Sequence, residues 1–210
     1  LTKIMPSYII ASEIEQGRIA LDDEVPISVK AWKTGGSRMF VREGTDVKVS
    51  DLIRGIVVQS GNDASVAMAE FIAGDETAFA DIMNQMAARL GMENSEFRNA
   101  TGLPDESHYT TARDLSVLAT ALIQDFPEHY KIYQEKYFSY NDIRQANRNS
   151  LLFRDDSVDG VKTGHTQAAG YCLVASAEKA DMRLISVVMG ATSERARAVE
   201  SQKVLKYGFR

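Results

Sequence analysis

Hydrophobic spacing at the start of the chain predicts a helix. Apolar side chains recur with helical spacing over residues 4–14, and Gly17 follows as a stop signal. Residues 20–49 mix glycine, proline and charge without a clear period, which predicts irregular structure with short strands. The chain is therefore expected to begin inside a helix and to continue into a loop-rich segment.

Four further helices are predicted in the middle of the chain, over residues 52–58, 64–73, 75–90 and 111–124. Ser50 or Asp51 is expected to cap the first of them, because short polar side chains satisfy free amides at helix N-termini. Asn62 or Asp63 is expected to cap the second for the same reason. This half of the sequence is thus predicted to be mainly helical.

The pattern changes after residue 136. Runs rich in β-branched and aromatic residues predict strands over residues 137–140, 158–161, 171–177 and 184–189. The segment 178–181 is interpreted as a hairpin turn between the last two strands, and residues 193–207 return to helical spacing. Because helices and strands are segregated along the chain instead of alternating, the predicted fold class is α+β.

Composition narrows the classes of function. The 210 residues are 44% hydrophobic and 25% charged, which fits one large globular domain or two lobes that share an interface. Cys172 is the only cysteine, so no internal disulfide can form. A net charge of −5 gives no electrostatic support for nucleic-acid binding. No apolar run approaches the roughly 20 residues that span a bilayer, and the spacing of the histidines suggests no metal site, so no cofactor is expected.

Three short polar motifs carry the candidate chemistry: Lys3 at the start, Ser60-Gly61-Asn62 in the middle, and Lys162-Thr163-Gly164 near the end. Serine acyl transfer needs a hydroxyl nucleophile, a base, a proton route and an oxyanion site. A serine three residues before Lys3 would share its helix face, but that position precedes Leu1 and lies outside the sequence. Lys3 is the candidate base, because burial and the neighbouring cation Lys162 would lower its pKa.

The middle motif is predicted to serve Lys3 and the substrate. The Ser60 hydroxyl could bridge Lys3 and a leaving group. The Asn62 amide could hold a substrate carbonyl with its NH2 group and Lys3 with its oxygen. Taken alone, the same residues are typical of helix ends, and a lone lysine is usually a surface residue.

The last motif is predicted to end a strand. Gly164 has no side chain to block a peptide that adds along the strand edge. Lys162 and Thr163 would then face the terminal carboxylate of that peptide. The backbone N–H of His165, together with that of the serine before Leu1, would form the oxyanion hole, and the His165 side chain is assigned the lesser role of shaping the pocket.

Two further features of the sequence bear on the candidate site. A second Lys-Thr-Gly tripeptide at 33–35 lies in the irregular segment before Gly36, and we interpret it as a coincidental turn. Arg197 in the last helix is a candidate partner for a substrate carboxylate, because guanidinium groups bind carboxylates through two hydrogen bonds. Arg195 and Arg210 are rivals for this role on sequence grounds.

Beyond the tripeptides, the sequence resembles the D-alanyl-D-alanine carboxypeptidases, the low-molecular-mass penicillin-binding proteins of the group of penicillin-binding proteins 5 and 6. The similar segments are residues 1–5, 52–55, 59–64, 147–149, 158–166 and 183–190. The resemblance implies the penicillin-recognising serine transferase fold (β-lactamase/transpeptidase-like), with a helical lobe and an antiparallel sheet flanked by helices. Residues 1–210 would form the catalytic domain of a longer protein, with the nucleophilic serine before Leu1 and a β-rich domain after Arg210.

The resemblance also implies an activity. Members of this family remove the terminal D-alanine from peptidoglycan pentapeptides through an acyl-enzyme, and β-lactams acylate the same serine. The candidate catalytic residues are Lys3, Ser60, Asn62 and Lys162, and the candidate substrate-binding residues are Thr163, Gly164, His165, Arg197 and Arg148. The implied partners are the peptidoglycan stem peptide and β-lactam antibiotics, with no nucleic acid.

The family also implies a place in the cell: the periplasm, with the longer protein peripheral on the inner membrane through a C-terminal segment that lies outside this sequence. Three alternatives stay open. A class A-like β-lactamase would need a glutamate that activates water, and the spare acids Asp105 and Glu106 lack the expected flanking pattern. A peptidoglycan endopeptidase and a non-catalytic peptidoglycan-binding protein are the other two.

Overall fold

The computed structural model describes residues 1–210. The helices are α1 (Ile4–Glu15), α2 (Val29–Lys33), α3 (Val49–Val57), α4 (Asn62–Ala73), α5 (Glu76–Leu90), α6 (Ala112–Asp125), α7 (Pro127–Tyr130) and α8 (Glu194–Gly208). The strands are β1 (Glu24–Pro26), β2 (Asp46–Lys48), β3 (Tyr137–Tyr140), β4 (Ile143–Ala146), β5 (Val158–Thr166), β6 (Gly170–Lys179) and β7 (Met182–Ala191). The predicted α+β class is confirmed.

Local sequence explains where several helices begin and end. The Asp75 carboxylate accepts the Ala78 N–H at 2.8 Å at the start of α5, and Gly91 ends that helix in the left-handed conformation. Ser193 caps α8 by accepting the Ala196 N–H at 3.0 Å. These helices match the predicted ones within a few residues, because their caps are local interactions that the sequence displays.

The predicted caps of α3 and α4 are wrong. Lys48 occupies the N-cap position of α3, and Gly61 occupies that of α4, each without a side-chain cap. Asn62 and Asp63 lie just inside α4, where their side chains bond to other parts of the chain. The polar residues at this helix start therefore serve long-range contacts instead of local capping.

Strands β5, β6 and β7 form an antiparallel sheet in that order, which leaves β5 at one edge. The predicted hairpin turn between β6 and β7 is confirmed, but the prediction that the Lys-Thr-Gly motif ends a strand is wrong. Strand β5 continues to Thr166, because β6 pairs along its whole length, with Lys162 opposite Val174 and Gly164 opposite Cys172. The motif therefore lies within the strand.

Two hydrophobic clusters hold the fold together. The larger one fills the helical lobe and includes Val161 of β5 and, on one face of the sheet, Val174 of β6. The smaller one includes Leu173 and Ala175 on the other face, where α8 packs. Because both faces of β6 are covered, it is a nearly continuous buried run, unlike a half-exposed strand. The site described below lies where the helical lobe meets the edge strand β5.

Several short elements had no sequence prediction, namely α2, α7 and β4. The antiparallel pair β3–β4 is an example, because its register from Tyr137–Ala146 to Tyr140–Ile143 joins a predicted strand to an unpredicted one. In the last helix Val204 is half exposed, whereas its neighbour Leu205 is buried. None of the helices combines the length and the apolar composition that a membrane crossing requires.

Candidate active site

Lys3 lies in the first turn of the chain, immediately before α1, and is almost completely buried. Its ammonium group donates to the Asn62 Oδ1 atom at 2.6 Å and to the Thr101 carbonyl at 2.7 Å. The turn is already helical in character, because the Ile4 N–H donates to the Leu1 carbonyl at 3.1 Å. Ser60 is not among the hydrogen-bond partners of Lys3, so of the middle motif the structure joins Asn62 alone to this amine.

The surroundings of Lys3 lower its pKa to about 7. Burial is the largest cause, because it removes water from the charged form, and the positive charge of Arg148 adds to the effect. The negative charge of Asp63 acts in the opposite direction. An amine with this pKa is neutral for about half of the time at neutral pH and can accept a proton there.

The middle motif forms the tight turn between α3 and α4. Ser60 is partly exposed with φ +60°, and the Gly61 N–H donates to the Gly55 carbonyl at 2.9 Å. The predicted contact between the Asn62 oxygen and Lys3 is present. The Asn62 NH2 group, which was expected to face the substrate, donates one hydrogen to the Gly35 carbonyl at 2.7 Å.

Strand β5 brings Lys162 and Thr163 into the same region, both buried. The pKa of Lys162 is lowered well below its usual range, first by burial and then by the positive charges of Lys3, Arg148 and Arg197. Lys162 is therefore close enough to Lys3 for the charge of Lys3 to lower its pKa. The two buried amines thus converge from sequence positions far apart, one at the start of α1 and one on β5.

Gly164 lies where the N-terminal end of α1 meets the sheet. A Cβ atom at this position would lie 2.6 Å from the Leu1 backbone nitrogen, so no larger residue fits without movement. Its carbonyl accepts a hydrogen bond from Arg197 Nη1 at 3.2 Å. The glycine therefore allows β5 to approach the first turn of the chain closely.

The structure separates the three candidate arginines. Arg197 is buried, lies over the Tyr171 ring at 5.6 Å and points toward β5, whereas Arg195 and Arg210 are exposed. Arg148 is exposed, and its charge lowers the pKa of both buried lysines, so it borders the same site.

His165 is exposed and stacks on Tyr171, with ring centroids 4.0 Å apart. This position fits a surface that shapes the rim of a pocket. Its predicted role in substrate binding stays a prediction, as do the roles of the other site residues.

Sequence reasoning missed several contributors. The carbonyl groups of Thr101 and Gly35 contact the site through backbone atoms, which carry no residue-type signal. The interpretation of the tripeptide 33–35 as a coincidental turn is incomplete. Lys33 is the last residue of α2, and the carbonyl of Gly35 accepts a hydrogen bond from Asn62. The adjacent Gly35-Gly36 pair was the available signal for a close backbone approach.

A second unforeseen contact lies beside Lys3. His108 Nδ1 accepts the Arg98 N–H at 3.1 Å, so its Nε2 carries the proton and donates to Thr2 Oγ1 at 2.8 Å. The loop that supplies the Thr101 carbonyl is thereby tied to the first turn of the chain. Neither residue type nor spacing in the sequence indicates this pair.

Most of the charged groups at the site are positive. Four cations converge there, namely Lys3, Lys162, Arg148 and Arg197, whereas Asp63 is the carboxylate whose charge acts on Lys3. Such a site favours an anionic ligand and holds its amines partly neutral. It can accept a proton from a hydroxyl group and stabilise negative charge that develops nearby.

Comparison with known proteins agrees with this arrangement. The sequence profile of the D-alanyl-D-alanine carboxypeptidase family matches residues 1–193. D-alanyl-D-alanine carboxypeptidase DacC of Escherichia coli (strain K12) is 48% identical over 217 residues, which cover 100% of this chain and 54% of that relative. The chain thus spans about half the length of this relative.

Solved structures give the same result. Penicillin-binding protein 5 from Haemophilus influenzae superposes with a TM-score of 0.97 at 47% identity, covering 99% of this chain and 62% of that one. Penicillin-binding protein D2 from Listeria monocytogenes in the ampicillin-bound form gives 0.90 at 26% identity, covering 100% and 86%. The expected transpeptidase-like fold is confirmed, and the chain belongs to the D-alanyl-D-alanine carboxypeptidase family.

Proposed function

We propose that the protein is a serine-type carboxypeptidase that removes the terminal D-alanine from peptidoglycan pentapeptides and is acylated by β-lactams. One observation supports this most strongly: two buried amines with lowered pKa values, Lys3 and Lys162, converge at the N-terminal end of α1. Amines so placed are suited to proton transfer and to stabilising negative charge, which serine acyl transfer requires.

In this proposal the nucleophile is a serine three residues before Lys3, immediately before Leu1 in the longer chain. Helical geometry would place its hydroxyl on the face of Lys3. Neutral Lys3 takes the hydroxyl proton as the oxygen attacks the carbonyl carbon between the last two D-alanines. An ester to the serine forms, and the bond to the terminal D-alanine breaks.

The other site residues support this reaction. The backbone N–H groups of the serine and of His165 bind the oxyanion, and Ser60 carries the proton to the departing amine. Water then hydrolyses the ester and regenerates the serine. Because β5 is an edge strand, the substrate peptide can pair along it at Thr163 and Gly164.

The positively charged residues of the site would bind the free carboxylate of a substrate. Arg197 is buried beside the Gly164 carbonyl, and with Lys162 and Thr163 it would bind the terminal carboxylate of the substrate. Arg148 lines the opposite side of the cleft in this proposal. The exposed Glu194 carboxylate lies 3.8 Å from the Arg197 guanidinium, which is too far for a hydrogen bond, so the guanidinium can still hydrogen-bond the carboxylate of a substrate.

The wider setting is part of the proposal. Residues 1–210 act as the catalytic domain, and the longer protein resides in the bacterial cell envelope, in the periplasm and peripheral on the inner membrane. The β-lactamase alternative is less favoured, because Asp105 and Glu106 are exposed and the Asp105 carboxylate is used to accept the Ser107 N–H at 2.9 Å.

The test uses the full-length protein, including the residues before Leu1. Peptide sequencing identifies the residue three before Lys3, and a fluorescent penicillin tests for covalent labelling. Release of D-alanine from a pentapeptide is then compared with cleavage of a crosslinked dimer. We expect a labelled serine, D-alanine release that declines below about pH 7 as Lys3 becomes protonated, and slow release of the penicilloyl group.

Other outcomes would separate the alternatives. A residue other than serine at that position would leave a non-catalytic binding protein. Rapid turnover of penicillin would favour a β-lactamase. Preferential cleavage of the crosslinked dimer would favour an endopeptidase.

A further inference from the structure

The orientation of the Asn62 amide decides how Lys3 is held. Its oxygen accepts from the Lys3 ammonium at 2.6 Å, and its NH2 group donates to the Gly35 carbonyl at 2.7 Å. A flipped amide would place donor against donor at Lys3 and acceptor against acceptor at Gly35. The Gly35 carbonyl therefore selects the orientation that presents an acceptor to Lys3.

Gly36 allows this carbonyl to come close enough. Its φ of +82° lies in the left-handed region, and a Cβ atom there would lie 2.6 Å from the Asn62 Nδ2 atom. Any side chain at this position would push against the amide group. The next residue adds a backbone contact, since the Ser37 carbonyl accepts the Asn62 N–H at 2.7 Å.

Asp63 anchors the far end of the same loop. Its carboxylate is completely buried and accepts the N–H groups of Met39, Phe40 and Val41 at 3.0, 2.9 and 3.2 Å. It also accepts the Ala64 N–H at 2.9 Å, which fixes it to α4. Neighbouring residues of α4 thus hold both ends of the loop, so the loop and the amide form one unit.

We propose that the loop of residues 35–41 is a positioning element for Lys3, which acts by fixing the Asn62 amide with its oxygen toward the ammonium group, and that Gly36 is the residue that permits it. The importance of this positioning for catalysis rests on the proposed function, whereas the positioning itself does not. The second Lys-Thr-Gly tripeptide thereby acquires a role through the Gly35 carbonyl, and its lysine takes no part.

A matched pair of glycine substitutions tests the proposal. Gly36→Ala and Gly44→Ala both place alanine at a left-handed position, with φ +82° and +70°, but a Cβ atom at Gly44 meets nothing within 4 Å. The titration of Lys3 is followed by NMR in full-length protein that carries 13C-labelled lysine, and Lys3→Met identifies its signal. Fluorescent penicillin measures the acylation rate of the same samples.

We expect the Lys3 midpoint of Gly36→Ala to move about one pH unit lower than that of the wild-type protein, because an acceptor that favours the charged form is displaced. Acylation should fall about tenfold to a hundredfold, the effect of losing a hydrogen bond to a charged group. Gly44→Ala should match the wild-type midpoint and stay within about twofold of its rate. Equal midpoints in Gly36→Ala and the wild type would overturn the proposal.

The titration of Lys3 and the labelling by penicillin test the role of the loop and the proposed function separately. If penicillin does not label the wild-type protein, the proposed function fails, but the titration of Lys3 still decides whether the loop positions it. Neither Arg148 nor Asp63, the charges that act on Lys3, changes in the glycine variants.

A double variant covers the case in which Gly36→Ala does not fold. Combining it with Asn62→Ala removes the group that the new methyl meets, so the double variant should fold with a melting temperature close to that of Asn62→Ala combined with Gly44→Ala. If Gly36→Ala combined with Asn62→Ala fails to fold while Gly44→Ala combined with Asn62→Ala folds, the requirement for glycine at position 36 does not come from Asn62, and the proposal is wrong.

Discussion

The two Lys-Thr-Gly tripeptides of this chain, at 33–35 and 162–164, are identical in sequence and different in chemistry. Lys33 is exposed at the end of the short helix α2, whereas Lys162 is buried on β5 with a lowered pKa. In both tripeptides the glycine carbonyl accepts a side-chain hydrogen bond, from Asn62 at Gly35 and from Arg197 at Gly164. The Lys-Thr-Gly sequence alone therefore does not define an active site, because burial and neighbouring charges determine the chemistry of its lysine.

The sharpest test of this comparison replaces each lysine in turn. Lys162→Ala is expected to lower the rate of acylation by fluorescent penicillin at least about a hundredfold, because a positioned cation is lost from a water-poor site. Lys33→Ala should leave that rate unchanged. Circular dichroism checks that both variants fold, and undiminished labelling of Lys162→Ala would contradict its assigned role.

Burial of Lys3 also predicts how stability depends on pH. Its pKa is about 7 in the folded protein and near 10.4 in an unfolded chain. Between these values the unfolded chain binds a proton that the folded protein lacks, so the free energy of unfolding rises with pH by up to about 1.4 kcal/mol per pH unit.

Urea unfolding of the wild type and of Lys3→Met from pH 7 to 10 measures this contribution. The difference between the two proteins should grow in favour of the wild type as pH rises. Lys33→Met, which alters an exposed lysine, should give a curve parallel to that of the wild type. Parallel curves for the wild type and Lys3→Met would show that Lys3 stays charged in the folded protein.

A smaller effect is expected at the arginine that contacts the second tripeptide. Arg197→Gln should reduce kcat/KM about tenfold for a peptide with a free terminal carboxylate, because a charge-assisted hydrogen bond is lost. The amidated peptide should lose less. Arg195→Gln serves as the control, since Arg195 is exposed on the same helix. Equal losses on both peptides would remove carboxylate binding from the role of Arg197.

The smallest effect is expected at His165, which stacks on Tyr171 at the rim. His165→Ala should change KM by only a few-fold, the size of one lost aromatic contact. The decline of the acylation rate below about pH 7 should persist in this variant, because Lys3 sets it. A loss of that pH dependence in the variant would contradict its assignment to Lys3.

Local signals explain which parts of the fold were predictable. The helix that begins after Asp75 and ends at Gly91 was predicted closely, since cap and stop lie next to it in sequence. The start of α4 was not predicted correctly. The Asp63 carboxylate accepts the N–H of Met39, 24 positions away in sequence, instead of capping its own helix. The full length of β5 was hidden for a similar reason, since pairing with β6 extends it through His165 and Thr166.

By itself, the sequence determined the α+β class, because the periodicity of apolar residues is a local property of the chain. The resemblance to the family came from particular sequence segments, which also contain the three polar motifs in their order. The sequence already favoured the second tripeptide and Arg197, but only the tertiary structure showed that Lys162 is buried and Lys33 exposed, that Arg197 faces β5, and that the Gly35 carbonyl orients Asn62. These outcomes depend on burial, on neighbouring charges and on backbone atoms. All three are set by residues distant in sequence, so no residue type displays them.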